Sequence, residues 1–390
     1  MTTLRQSLGG NVRQYGIVGA LLVIVALFQY LTDGRLLLPN NVVNLAQQNA
    51  SVMILALGMV IVIVAGHIDL SVGSIVGFIG GVIGVAMYDN GVHWFLAVLI
   101  AIALGALVGA WQGFWVAYVG VPAFIVTLAG WMAFRGLATV IVAITRAGFP
   151  APFVAISNGS LPNWLDRVGG LDVVTLLLGA VTIGALVLSQ LVARRNIRKN
   201  NLVVEPTAGF VLKLVMFGVL IGGIAWRIAG SRGGTPIVLV LVAALILVYN
   251  FVMGRTVFGR HVYAMGGNLQ AAILSGVDTK KMNFRIFVNI GMLAGVAAVV
   301  TTSKAGASVA TAGALFELDA IAACFIGGAA VTGGVGRVYG VIVGALIMGV
   351  LNMGLSILNV GSEWQQVLKG LVLLVAVAFD LINKRRAGTR

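Results

Sequence analysis

Three acids sit where apolar chain begins: Asp69 in His67-Ile68-Asp69-Leu70, and Glu317 and Asp319 in Phe316-Glu317-Leu318-Asp319, each opening a glycine-rich run. A fourth feature is the polar run Asn44, Gln47, Gln48 and Asn49 inside an otherwise apolar stretch. Charge in apolar surroundings is expensive, so such acids must face polar groups or water. Two roles fit them. Asp69, ahead of Ser71 and Gly73, can accept hydrogen bonds from the free amides that open a helix, or it can line a path for a polar solute. Glu317 and Asp319 admit the same two readings. The amides at 44–49 suit weak, replaceable hydrogen bonds in such a path, or a helix entrance. Arg135 is placed to pair with an acid or to extend its charge toward water.

The sharpest local pattern is Gly266-Gly267-Asn268-Leu269-Gln270-Ala271-Ala272-Ile273-Leu274-Ser275-Gly276-Val277. Two glycines and Asn268 predict a helix start with Asn268 as the N-cap. Gly276 predicts the stop, because glycine accepts the left-handed backbone there. About two turns lie between, with Leu269, Ala272 and Ile273 on one face. A helix this short needs a surface to lie against. That surface is either the rest of its own chain or a groove on a partner, and Ala271 and Ala272 allow close approach.

Reaction chemistry is missing. The sequence has no GxxxxGK[ST] phosphate loop, HExxH, CxxC or GxSxG. His67, His93 and His261 are too scattered for a metal set, and Cys324 is a lone cysteine with no assigned role. No metal, cofactor or catalytic residue is therefore expected.

The elements that carry these residues follow from composition. Of 390 residues, 60% are hydrophobic and only 9% charged, against about 25% in a soluble domain, and the mean hydropathy is +1.06. Lipid must be the solvent for most of the surface. A helix crosses a bilayer in about 20 apolar residues, and twelve segments approach that length: 15–32, 42–65, 69–88, 94–118, 123–146, 171–193, 211–229, 236–253, 284–303, 319–334, 337–358 and 363–382. The first reads as a span rather than a cleavable signal. Segment 319–334 is short enough to be re-entrant. Free backbone amides have no partner in lipid, so helix is the expected state. The fold class is an all-α polytopic membrane bundle of about 10–12 helices, some broken, in one domain over 1–390. Most of the 53 glycines serve close helix packing, as at Gly77–Gly81 and Gly340–Gly344; the others suit helix breaks.

A net charge of +14 invites nucleic acid as a partner, but its placement argues against that. Bases cluster at Arg194, Arg195, Arg198 and Lys199, from Arg255 to Arg285, and at Lys384, Arg385, Arg386 and Arg390. Each cluster lies in a polar gap or at a terminus, as the positive-inside bias demands. Even numbers of segments separate them, which places both termini and both basic loops in the cytoplasm. The segments 194–210 and 254–283 are then cytoplasmic, and 147–170 is an outside loop.

In several places the sequence resembles the ribose- and xylose-type ABC importer permeases. Phe258-Gly259-Arg260, Tyr263-Ala264 and Gly266-Gly267 precede Asn268, Ala271-Ala272 and Ser275-Gly276-Val277 as in that family's coupling segment. Asn41-Val42-Val43-Asn44-Leu45, Ile68-Asp69-Leu70-Ser71, Val121-Pro122-Ala123-Phe124 and Glu317-Leu318-Asp319-Ala320 also agree, in order, over most of the chain. The resemblance is strongest to the xylose and multiple-monosaccharide permeases. It implies a subunit of the bacterial inner membrane that works by alternating access. It also implies a second permease copy, cytoplasmic ATP-binding subunits and a periplasmic sugar-binding protein. Asn268, Leu269, Ala271, Ala272, Ser275, Gly276 and Val277 would form the helix that contacts the ATPase. An ion-driven secondary sugar transporter is the rival reading, and a non-transporting scaffold a weaker one.

Overall fold

The computed structural model describes residues 12–200, 204 and 206–386. Arg390 and parts of the expected 194–210 linker, at 201–203 and 205, lie outside the described residues. Helices dominate because apolar runs in lipid leave no other way to satisfy the backbone. In chain order they are α1 (Val12–Leu31), α2 (Pro39–Val64), α3 (Val72–Tyr88) and α4 (Trp94–Phe114), which runs on through a π-helical turn at Trp115–Val119. Then come α5 (Ala123–Ile141), the short α6 (Ala151–Asn158), α7 (Val173–Lys199), α8 (Thr207–Ala229) and α9 (Ile237–Arg255). The remainder are α10 (Val257–Gly267), α11 (Leu269–Leu274), α12 (Thr279–Ala305), α13 (Phe316–Ile326), α14 (Val338–Ile357) and α15 (Ser362–Arg386).

Eight of these are long and apolar enough to cross a membrane, and two shorter apolar stretches, Gly16–Leu31 and Val72–Tyr88, add to them. The chain is an all-α polytopic membrane protein. Proline marks many starts: Pro39 is the first residue of α2, and Pro122, Pro206 and Pro236 immediately precede α5, α8 and α9. There its fixed φ helps and its missing N–H is not needed.

Three expected segments change. The run 123–146 is helical only to Ile141, after which Arg146–Ala147 (β1) pairs antiparallel with Ala307–Ser308 (β4). The run 319–334 is not a span. Helix α13 has 11 residues, about 16 Å at 1.5 Å per residue, and irregular chain follows to Arg337. The basic cluster Arg194–Lys199 is not linker either, because α7 continues through it. A second small hairpin, Arg167–Val168 (β2) with Leu171–Asp172 (β3), and the helix α6 shape the 147–170 loop.

Helix α2 is the axis, with 94% of its apolar stretch buried. Helices α9, α12, α13 and α14 pack around it. The closest pair is α4 with α12, where Gly105 lies against the Gly291 carbonyl and Gly295 against that of Ala101. Small residues let these backbones touch, which is how helices associate when lipid supplies no hydrophobic driving force. Gly81 and Gly344 do similar work against Val142 and the Ala323 carbonyl.

Candidate functional site

The first region is built at one end of the bundle. Thr256 caps α10, its hydroxyl accepting from the Gly259 amide at 3.3 Å. The Tyr263 hydroxyl donates to the Gly336 carbonyl at 2.7 Å, and Gly266 lies directly against the carbonyl of Val64, the last residue of α2. Gly266 and Gly267 therefore finish α10 and do not start the short helix, as the sequence pattern suggested. Helix α11 has six residues. Asn268 caps it, accepting from the Ala271 amide at 2.9 Å, and Gly276 ends it with φ +83°. The Val277 amide closes the last turn on the Ala272 carbonyl at 3.0 Å.

The expected apolar face of α11 divides. Ala272 is buried in the bundle core, whereas Leu269 and Ile273 are about half exposed and Leu274 is 88% exposed. Ala271, Ser275 and Gly276 are exposed too. One residue holds the helix to its own chain, and the other large side chains face outward. Asp278 then starts α12 by accepting from the Lys281 amide at 3.0 Å. That amide, aided by the Lys281 ammonium, holds the Asp278 carboxyl below the usual carboxylate range, so it stays charged at neutral pH.

The second region lies inside the bundle, where two helices are interrupted. Residues 65–71 separate α2 from α3, and 306–315 separate α12 from α13. The start of α3 meets the second break and the start of α13 at Gly73, which touches both the Glu317 carboxylate and the Gly313 carbonyl. Asp69 is fully buried. Its Oδ1 accepts the Ser71 amide at 2.8 Å and the Ser71 hydroxyl at 2.6 Å. Gln112 Nε2 donates to the Ser71 oxygen at 2.7 Å, and Trp131 Nε1 donates to Glu317 at 3.2 Å. Arg135 donates to the carbonyls of Ala310 and Ala312 at 3.3 and 3.2 Å, tying down the second break. Asp69 Oδ2, Ser74 Oγ, Gln112 Oε1 and Glu317 Oε2 are buried without a hydrogen-bond partner. Native interiors leave few such atoms.

Asp319, two residues and about half a turn further along α13, faces the other way. Its Oδ2 accepts from Lys369 of α15 at 3.1 Å and from Asn352 of α14 at 3.3 Å. Asp319 Oδ1 and Asn352 Oδ1 remain unpartnered. A cavity of about 210 Å³ adjoins them, bounded also by Leu315, Leu318, Met348, Gln366 and Leu373.

The polar run on α2 scatters around that helix. Gln47 accepts from Lys304 at 2.7 Å and Asn49 donates to the Ala345 carbonyl at 2.7 Å. Asn44 is half-buried and Gln48 exposed. Gln47 and Asn49 thus reach different partners, while Asp69 bonds Ser71 at the start of α3 and Glu317 lies against Gly73 beside it. Sequence reasoning missed Gln112, Trp131, Asn352 and Lys369. Lys369 was visible as a lone base in an apolar segment, and Gln112 as a lone amide in another.

Comparison with known proteins adds lineage. Residues 41–377 match the family described as branched-chain amino acid transport system, permease component. The xylose transport system permease protein of Haemophilus influenzae is 39% identical over 96% of this chain and 98% of its own. The Escherichia coli K12 counterpart is 38% identical over 97% and 94%. The ribose import permease protein of Escherichia coli K12 is 32% identical over 94% and 92%. No solved structure gives a significant match.

Proposed function

The chain belongs to the branched-chain amino acid transport system permease-component family, and on that premise we propose that it is the transmembrane subunit of an ABC importer for a monosaccharide of the xylose and ribose class. The family description names an amino acid system, but the relatives aligned over nearly the whole chain are pentose permeases, which favours a sugar. Two copies of the permease pair in the bacterial inner membrane. ATP-binding subunits dock from the cytoplasm, and a periplasmic binding protein delivers the sugar.

The observation that carries this reading is α11, a capped six-residue helix whose Leu274 is 88% exposed on the basic face. A leucine so placed suits a groove on the ATPase. Movement of α11 passes through Gly266 to the end of α2 and to the 327–337 segment. The two permeases then rock between inward- and outward-facing states. Unpartnered oxygens on Asp69, Glu317 and Asp319 offer acceptors to water or sugar hydroxyls along the way.

Leu274→Asp tests the assignment. Burying a leucine at an interface contributes about 2 kcal/mol, or roughly 30-fold in affinity. The variant should insert and melt like the parent, lose co-purification of the ATP-binding subunit, and lose most uptake. Gly276→Pro should act likewise, since proline cannot adopt φ +83°. Normal uptake and co-purification by both variants, at matched expression, would sink the assignment. Uptake that survives removal of the ATPase and collapses with an uncoupler would point instead to ion coupling.

A further inference from the structure

Helices α7 and α8 stand apart from the rest of the bundle. They pack chiefly on each other, and only 6% of the apolar stretch of each is buried. At the basic end of this pair lies a cavity of about 370 Å³, lined by Leu191, Arg194, Arg195, Arg198, Thr207 and Phe210, with Val211 at its edge. Positive-inside bias explains why bases lie at this end. It does not explain why three arginines from the last two turns of one helix gather over the first turn of the next.

The geometry is that of a built pocket. The Arg194 guanidinium lies over the Phe210 ring, 4.4 Å from its centre, in cation–π contact. Its Nη2 donates to the Thr207 hydroxyl at 3.0 Å. Its Nη1 is closed off from solvent with no hydrogen-bond partner. Arg195 and Arg198 are exposed at the rim. Pro206 gives α8 no side-chain cap, and the first intrahelical bond runs from the Phe210 amide to the Pro206 carbonyl. The amides of Thr207, Ala208 and Gly209 precede that bond and have no intrahelical partner, and Thr207 lines the cavity. No acidic side chain lines the cavity among the described residues. Below it, Leu188, Leu191, Val192, Val211 and Leu212 present an exposed apolar wall.

We propose that this pocket binds the phosphate headgroup of an anionic glycerophospholipid, with the acyl chains lying along the exposed faces of α7 and α8. Planar guanidinium groups match phosphate oxygens bidentately. Basic pockets between membrane helices at the charged boundary hold such headgroups. The apolar wall directly beneath favours a lipid over free phosphate. The lipid would anchor a helix pair that few protein contacts hold in place.

Native mass spectrometry of the full chain in detergent tests this, with phosphatidylglycerol, cardiolipin or phosphatidylcholine added. The parent should retain one anionic lipid in preference to phosphatidylcholine. The double variant Arg195→Ala, Arg198→Ala removes only exposed bases and should weaken retention about 30-fold, at roughly 5-fold per base. Arg255→Ala, Arg260→Ala, which removes two exposed bases elsewhere on the same face, should leave retention unchanged. Equal losses in both double variants, or equal retention of phosphatidylcholine, would overturn the site. Inorganic phosphate that binds the parent without any lipid being retained would overturn the lipid assignment.

Discussion

Gly266→Ala should lower the thermal midpoint of the purified protein sharply and abolish uptake, whereas Gly267→Ala should be close to neutral. A Cβ at Gly266 would overlap the Val64 carbonyl oxygen and stand 2.6 Å from the Gly334 amide nitrogen. That amide donates to the same carbonyl at 2.8 Å. Three backbones thus converge on one point: the end of α2, the end of α10 and the 327–337 segment. No flexible side chain can give way. Forcing in a methyl group costs about 3 kcal/mol, the upper end for overpacking. At Gly267 a Cβ meets nothing within 4 Å, so it controls for glycine chemistry. If Gly266→Ala melts and transports like the parent, the proposed mechanical link between α11 and α2 is not rigid.

Asp319→Leu is expected to destabilise by about 3–5 kcal/mol, because removing one member of a buried ion pair leaves the other charge uncompensated. The Asp319 side chain is 4% exposed and that of Lys369 20%. The remaining ammonium would sit among Leu315, Leu318 and Met348. Lys369→Met should cost a similar amount, with the carboxylate left behind. The double variant should recover much of the loss, since the two effects are coupled and not additive. Thermal unfolding with all four proteins measures the coupling. Uptake by the double variant then separates the two roles open to Asp319. Recovery of both stability and uptake assigns it to holding α15 against α13. Recovery of stability alone assigns it to the solute path. Two single-variant losses that simply add in the double would show that the 3.1 Å contact does not act as a pair.

Much of the site was legible because its signals are local. Asn268 and Gly276 bracket α11 in the sequence, and a cap and a left-handed stop depend only on neighbouring backbone. Leu274 as the outward residue was not legible, since the pattern placed Leu269 and Ile273 with Ala272 on one face and gave no sign that only alanine would be covered. The meeting of Glu317 and Gly73, two residues beyond the Asp69–Ser71 pair, joins positions far apart in the chain, and counting spans could not bring them together. Arg135 shows the same limit. Its charge suggested an acid partner or an extension toward water, and the structure adds the carbonyls of Ala310 and Ala312 in the broken segment.

Composition alone determined that this chain lives in lipid, that its elements are helices, and where most of them begin and end, because a bilayer forces every span to satisfy its own backbone. It could not determine which helices are central. The apolar stretches of α2 and α7 have hydropathies of 1.9 and 2.2, yet they are 94% and 6% buried. In water an apolar face points inward, so pattern reveals burial. In a membrane, lipid and protein interior are equally apolar solvents, and the pattern vanishes. Only close contact between backbones, at glycines such as Gly105 and Gly291, and polar bonds such as Asp319 to Lys369 choose the neighbours, and those are decided by the tertiary structure.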